Sequence, residues 1–183
     1  SYKLEKDVVE AEIDIIRALG VEIKCGVEVG KDITLDELRN DGYEAFYIAI
    51  GCQGSRKAGV DGEDAEGVMS AVDILHEIAE NHDLDLKGNK TVVIGGGNVA
   101  VDVARSTKRC GADVLGMFCL ESREEMPASD EEIFETEDEG IKINNGWGVK
   151  EILAENGKVT GVVLKKCTSV KDADGRFNPQ YDE

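Results

Sequence analysis

Residues 91–105 read TVVIGGGNVAVDVAR, in which three consecutive glycines separate a short apolar run from an amphipathic one. After the glycines, small and apolar side chains recur at helical spacing, at Ala100, Val103, Ala104 and Thr107. A second apolar run, DVLGMFCL, follows at 113–120. A strand, a glycine turn, a helix and a second strand in this order predict an α/β fold with a Rossmann-like parallel sheet and flanking helices.

The glycines and the first helical residues match the pattern G-x-G-x-x-A, at Gly95, Gly97 and Ala100. A glycine at the first position permits the tight turn, one at the second lets a pyrophosphate approach the backbone, and the small alanine lets the helix pack on the strand. The helix N-terminus offers free N–H groups to the anion, with Asn98 and Val99 as the nearest donors. The predicted pyrophosphate site consists of Gly95, Gly96, Gly97, Asn98, Val99 and Ala100. The alternative is a flexible turn without a ligand.

The end of the second strand should carry the residue that binds the adenosine ribose. Glu121 follows Gly97 by 24 residues, and Ser122 and Arg123 come directly after it. The Glu121 carboxylate can accept hydrogen bonds from ribose hydroxyls and would repel a 2′-phosphate, so NADH is favoured and NADPH is disfavoured. Arg123 acts against this repulsion. The alternative for Glu121 is a solvated carboxylate on the surface of an acidic protein.

Further along the chain, strands and helices alternate before the pattern changes. Ser129 and Glu132 form a capping box for a helix through about Glu139, and GIKIN at 140–144 is a third strand. From residue 148 two alternating runs flank Asn156-Gly157, which is a strong hairpin signal, and a further turn follows at 172–176. The C-terminal part is therefore predicted to be an antiparallel β-meander.

The part of the chain before the glycine turn contains a structured segment, a linker and the first helix of a second domain. Residues 1–52 are predicted to contain a helix from Leu4 to Leu19, a strand or hairpin at 21–30, a short helix capped by Thr34 and Glu37, and a buried strand at 45–51. Residues 53–69 are rich in glycine without apolar periodicity and are predicted to be a linker. Ser70 then opens a helix, so the second domain is placed at 70–183.

The composition excludes several classes of protein. A net charge of −18 over 183 residues argues against nucleic acid and anionic membrane surfaces as partners. No apolar run reaches the length of a membrane helix, and no signal peptide is visible. The five cysteines include no CxxC pair, so no metal site is predicted, and unpaired cysteines are typical of the cytoplasm.

Four segments resemble a known family, the small (beta) subunit of glutamate synthase and its flavin-dependent relatives. They are residues 6–38, residues 42–51 (GYEAFYIAIG), residues 95–105 (GGGNVAVDVAR) and residues 122–129 (SREEMPAS), and they occur in the family's order. The resemblance implies a two-dinucleotide-binding-domain oxidoreductase, in which an NAD(P)H-binding domain is inserted into an FAD-binding domain. By this resemblance residues 1–52 are a partial FAD-binding domain and residues 70–183 are the NAD(P)H-binding domain.

The resemblance also implies roles for particular residues. Val29 lies where the family contacts the FAD adenine through its backbone, and Gly51 ends an Ala-Thr-Gly motif that here reads Ala-Ile-Gly. NADPH-dependent members usually end the second strand of the nucleotide domain with Tyr-Arg-Arg, whereas this chain has Cys119-Leu120-Glu121. The missing arginines again favour NADH over NADPH.

The implied activity is hydride transfer from NADH to FAD, followed by electron transfer to an iron–sulfur domain or a large subunit. Cofactors carry this chemistry, so no catalytic residue is predicted. Two alternatives remain open, an NAD(H)-binding sensor without catalysis and an acidic interaction domain without a ligand.

The architecture is predicted to be incomplete in this chain. Two dinucleotides require two glycine-rich turns, and only the one at 95–100 is present. We therefore expect the chain alone not to hold FAD and not to turn over. We also expect residues 1–52 to expose an apolar face that favours self-association.

Overall fold

The computed structural model describes residues 3–81 and 84–182, and the chain divides into two compact units, Ser1–Cys52 and Gln53–Glu183. The predicted domain ranges also include Ser1, Tyr2, His82, Asp83 and Glu183, which lie outside the described residues. No helix in the described part of the chain is long and apolar enough to cross a membrane.

The first unit contains the two predicted helices, α1 (Lys6–Ala18) and α2 (Leu35–Asn40). The capping box at α2 is confirmed, because Thr34 Oγ1 accepts from the Glu37 N–H at 3.2 Å and Glu37 Oε2 accepts from the Thr34 N–H at 2.8 Å. Gly20 follows α1 with φ 85°, the left-handed conformation expected after a helix.

The two strands predicted in the first unit are wrong. Within 21–30 only Val29 makes a bridge, to Ile33, and residues 43–51 form no strand. A strand exists only when another backbone completes its hydrogen bonds, and the described residues of this unit supply no such ladder. The side chains of the predicted buried strand are accordingly exposed, with Tyr47 at 94% and Ile50 at 81%.

The second unit contains the predicted parallel sheet. Its strands are β1 (Lys90–Ile94), β2 (Asp113–Cys119) and β3 (Ile143–Asn145), in the order β1-β2-β3, and its helices are α3 (Ala71–Glu80), α4 (Asn98–Arg109) and α5 (Asp130–Asp138). One apolar core joins these elements, and Val101, Met117, Ile133 and Ile141 are almost completely buried in it. The predicted α/β pattern is confirmed.

The predicted meander is also confirmed as a separate antiparallel sheet of β4 (Trp147–Glu155), β5 (Lys158–Lys171) and β6 (Phe177–Tyr181). Asn156 and Gly157 both have positive φ, at 52° and 80°, as a two-residue hairpin turn requires. The glycine-rich residues 53–69 form no helix, but part of them lies against this sheet, since the Asp61 carbonyl accepts from the Ile152 N–H at 2.8 Å.

A buried arginine joins α4 to α5. Arg105 is 5% exposed, and its guanidinium donates to Glu139 at 2.8 Å, to Glu132 at 3.3 Å and to Glu135. Burial opposes ionisation of Glu139, but hydrogen bonds from Arg109 and Arg105 outweigh it and lower the pKa of the Glu139 carboxyl. The cluster therefore stabilises the pairing of the two helices at neutral pH.

We expect Arg105→Met to lower the free energy of unfolding by about 2–4 kcal/mol, because it removes buried charge-assisted hydrogen bonds and leaves three carboxylates close together. Arg109→Met is the matched control, since Arg109 also binds Glu139 but is 47% exposed, and it should cost less than about 1 kcal/mol. Urea unfolding followed by the fluorescence of Trp147 measures both.

The cost of Arg105→Met should shrink as the pH falls. A carboxyl with a lowered pKa contributes stability above its ordinary pKa, and that contribution is lost on acidification through the lowered value. Equal costs for the two variants at neutral pH would show that the cluster does not stabilise the helix pair.

Candidate dinucleotide-binding site

The glycine turn connects β1 to α4 at the carboxyl edge of the parallel sheet. Gly95 has φ 137°, and a Cβ placed on it would lie 3.2 Å from the Ala100 Cβ, so the first glycine and the alanine are needed for close packing of helix on strand. Gly97 is the N-cap of α4, and the atom nearest to a Cβ on it would be Pro127 Cγ at 3.9 Å. The backbone at Gly97 is therefore open to a ligand.

The N-terminus of α4 has unused donors. Among residues 3–81 and 84–182 the N–H groups of Asn98 and Val99 have no acceptor. The Asn98 side chain is otherwise engaged, since its Oδ1 accepts from the Ser129 N–H at 3.0 Å, while the Val99 side chain is 51% exposed. Free N–H groups at the start of a helix with a small residue in front of it favour the binding of an anion.

Glu121, which follows β2, lies beside this turn. Its Oε2 would be 3.0 Å from a Cβ on Gly96, so the carboxylate occupies the space beside the buried middle glycine that a side chain there would need. The Glu121 carbonyl accepts from the Gly146 N–H and from Asn145 Nδ2, both at 3.1 Å. These bonds hold the end of β2 in place, and the fold thus brings an acidic side chain to the glycine turn.

The side chains of Ser122 and Arg123 pair with other acidic residues and not with the glycine turn. The Ser122 hydroxyl donates to Glu125 at 2.9 Å, and Arg123 Nη2 forms an ion pair with Glu137 of α5 at 3.1 Å. Because the Arg123 guanidinium pairs with α5, the negative charge of Glu121 is left facing the glycine turn.

The loop before α5 forms a wall of the site that the sequence did not predict. The Ala128 N–H donates to the Gly96 carbonyl at 3.1 Å, and Pro127 lies beside Gly97. The sequence of this segment indicates only the resemblance to the family. No local pattern indicates that it returns to a turn about thirty residues earlier in the chain.

A cavity of about 310 Å³ lies on the other side of the end of β2. Leu120 and Ser122 line it, whereas the alternate residues Cys119 and Glu121 lie against Gly96, as the alternation of a strand requires. Lys166 of β5 also lines the cavity, and sequence reasoning missed it because no motif connects the antiparallel sheet with the glycine turn.

The two residues predicted to contact FAD belong to the first unit. Val29 is 56% exposed and forms the bridge to Ile33, and Gly51 has φ 67° in a segment without a strand. Their predicted roles stay predictions.

Cys119 is buried below the glycine turn. Desolvation and, second, the charge of Glu121 raise the pKa of its thiol to about 11, although a hydrogen bond from Asn145 acts in the other direction. Burial also raises the pKa of the Cys167 thiol. Such thiols are poor nucleophiles at neutral pH.

A parallel sheet with a glycine turn at its carboxyl edge and an open helix N-terminus defines the class of dinucleotide-binding α/β proteins. The chain belongs to the pyridine nucleotide-disulphide oxidoreductase family, whose sequence profile matches residues 3–177. The sequence of this chain contains no CxxC pair.

The chain is also similar in sequence to individual members of known name. The chain is 37% identical to the NADP(+)-dependent formate dehydrogenase subunit beta of Moorella thermoacetica, over 98% of its own length and 26% of that protein. It is 32% identical to the glutamate synthase (NADPH) small chain of Escherichia coli strain K12, over 96% of its own length and 40% of that protein. The chain therefore spans less than half the length of these two relatives.

A solved structure shows the same fold. Mycobacterium tuberculosis FprA, in complex with NADPH, superposes with a TM-score of 0.68 and 22% identity, over 85% of this chain and 50% of FprA. The expected resemblance to glutamate synthase small subunits and the expected α/β fold are both confirmed.

The buried thiols should be the slowest to react. At pH 8 a thiol with a pKa of about 11 is ionised to only about one part in a thousand, so Cys119 should be alkylated far more slowly than the exposed Cys25 and Cys52. Brief treatment with iodoacetamide, followed by peptide mass spectrometry, measures the rates. A urea-unfolded sample, in which all five cysteines should react alike, is the control; equal rates in the folded protein would contradict the placement of Cys119.

Proposed function

We propose that this chain is the NAD(P)H-binding portion of a flavin-dependent oxidoreductase. The observation that carries the proposal is the Glu121 carboxylate lying against the glycine turn at the open N-terminus of α4. A pyrophosphate site and a ribose-binding carboxylate are the two features that a pyridine dinucleotide needs on this fold.

Each residue of the site has a defined task in this proposal. The N–H groups of Asn98 and Val99 bind the pyrophosphate, and Gly97 leaves room for its approach. Glu121 accepts hydrogen bonds from the adenosine ribose. The bound dinucleotide supplies the hydride, so the chain's contribution is binding and orientation, and no side chain is assigned a catalytic role.

For this chain we propose NADH as the preferred nucleotide. The names of the relatives specify NADP(+) or NADPH for those proteins, so the preference rests on Glu121 alone. A carboxylate about 5 Å from a 2′-phosphate costs roughly 3 kcal/mol per unit charge at an effective dielectric constant of 20, before screening by salt. NADPH is the weaker ligand in this proposal.

The remaining steps concern the whole protein. Resemblance to the glutamate synthase small subunit favours transfer of the hydride to FAD and then of electrons to an iron–sulfur domain or large subunit, in the cytoplasm. The names of the two relatives describe a subunit beta and a small chain, which fits a protein that works with larger partners. Contacts of Val29 and Gly51 with FAD are part of this proposal.

Self-association of the first unit also stays a proposal. Its support is the number of exposed apolar side chains there, among them Leu19 at 80% and Ile48 at 76%.

Gly97→Val should abolish tight NADH binding. A branched side chain at the open face of Gly97 would block the pyrophosphate, and the loss of backbone hydrogen bonds to a charged ligand corresponds to an affinity at least about tenfold lower. Isothermal titration calorimetry of the whole chain with NADH measures it. Gly54→Val is the control, because Gly54 also has open space around it and an ordinary φ, and lies outside the site. Unchanged affinity in Gly97→Val would rule out this turn as the pyrophosphate site.

The wild-type chain should bind NADH more tightly than NADPH, and Glu121→Gln should narrow the difference by about fivefold or more, because it removes a negative charge near the 2′-phosphate. Glu124→Gln is the control, since it makes the same change on an exposed residue three positions away. Titrations with both nucleotides decide the point, and a wild-type preference for NADPH would refute the role of Glu121.

A further inference from the structure

We propose that Asn156 is a site of spontaneous deamidation, and that the reaction weakens the contact between the β4–β5 hairpin and the linker at 53–69. The sequence contains two Asn-Gly pairs, Asn145-Gly146 and Asn156-Gly157. The fold holds the first pair between strands and exposes the second at the tip of a hairpin. The inference concerns a modification of the polypeptide and does not depend on the proposed function.

The chemistry of an Asn-Gly pair requires only water as a co-reactant. The backbone nitrogen of the glycine attacks the side-chain carbonyl carbon of the asparagine, so a bond from that nitrogen to Cγ forms and the bond from Cγ to Nδ2 breaks. The N–H proton is lost to solvent, while Nδ2 takes up a proton and leaves as ammonia. Water then opens the cyclic imide at one of its two carbonyls and gives aspartate or isoaspartate, with no change of oxidation state. A glycine favours the attack because it has no side chain to shield its nitrogen.

The Asn156-Gly157 pair is accessible to this reaction. Both residues are exposed, and a Cβ on Gly157 would meet no atom within 4 Å. The described part of the chain contains no acceptor for the Gly157 N–H and no hydrogen-bond partner for the Asn156 side-chain amide. The attack requires the turn to open briefly, and the tip of a hairpin opens at a lower cost than the interior of a sheet.

The Asn145-Gly146 pair is held by hydrogen bonds. The Gly146 N–H donates to the Glu121 carbonyl at 3.1 Å, and Asn145 Nδ2 donates to the same carbonyl at 3.1 Å and to Cys119 Sγ at 3.3 Å. A Cβ on Gly146 would lie 3.0 Å from Lys166 Nζ. The nitrogen that would attack and the amide that would leave are therefore both bonded to the end of β2, and these bonds have to break before the pair can react.

The exposed turn also contacts the linker. The Glu66 N–H donates to the Gly157 carbonyl at 2.8 Å, and the Val159 N–H donates to the Glu66 carbonyl at 2.9 Å. Isoaspartate adds one carbon atom to the main chain of a two-residue loop, whose geometry permits only the two central residues at positive φ. Either product also adds a negative charge near the exposed Glu66. The reaction should therefore weaken the hydrogen bonds between the turn and the linker.

The experiment incubates the whole chain at physiological temperature in mildly alkaline buffer. Peptide mass spectrometry detects replacement of the amide group by a hydroxyl at each asparagine, and electron-transfer fragmentation distinguishes isoaspartate from aspartate. Asn156 should deamidate at least about tenfold faster than Asn145, because Asn145 and Gly146 first have to lose several hydrogen bonds. A urea-unfolded sample is the control, in which the two pairs should react at similar rates.

Asn156→Asp is the matched variant, since Asp-Gly suits the same two-residue turn. Ion-exchange chromatography of the wild-type chain should show a more acidic form that increases with time, and this form should not develop in Asn156→Asp. An acidic form that develops equally in the variant would overturn the assignment, as would equal rates at Asn145 and Asn156 in the folded chain.

The effect on the linker has its own measurement. Chains that have reacted at Asn156, separated by ion exchange, should exchange the Glu66 amide hydrogen with deuterium faster than unreacted chains, because that N–H is bonded to the Gly157 carbonyl. Unchanged exchange at Glu66 in chains with isoaspartate at this position would overturn the proposed weakening of the contact.

Discussion

The close approach of α4 to β1 is the constraint on which the second unit depends. The 3.2 Å separation between the Ala100 Cβ and the position of a Cβ on Gly95 leaves no space for a larger side chain at either place. With α4 held at this distance, its N-terminus reaches the edge of the sheet where β2 ends. A helix displaced by one side chain would carry its free N–H groups away from Glu121, so packing in the core and geometry of the site have the same origin.

The position of α5 follows from that of α4. Arg105 projects from the buried face of α4 into the carboxylates of α5, and the loop before α5 is bonded to the glycine turn through the Ala128 N–H and the Gly96 carbonyl. The strongly acidic α5 is stable in this place because its charge faces a buried cation on one side and is solvated on the other. The acidic residues at α5, which in the composition only add to the net negative charge, thus help to hold α5 against α4.

Much of the second unit could be predicted from the sequence because its signals are local. The glycine turn, the Ser129 cap and the Asn156-Gly157 hairpin each determine backbone geometry within a few residues. The absence of strands at 21–30 and 45–51 could not be predicted in this way. The apolar pattern reports which side chains can be buried, whereas a strand also needs a neighbouring backbone to bond with. The position of Glu121 beside the glycine turn could be predicted because one helix and one strand set the distance from the glycines to the end of β2. The position of Lys166 near the end of β2 depends on how the antiparallel sheet packs, and no spacing rule in the sequence predicts that packing.

Strand β5 serves two ladders, pairing through its first nine residues with β4 and through its last five with β6. One residue inserted or deleted in a regular stretch of this strand would move the side chains beyond it to the opposite face of the sheet, unless a bulge absorbed the change, as the register shifts in both ladders do. Replacement of single side chains therefore disturbs this strand less than a change in its length, because the strand has to stay in register with two neighbours.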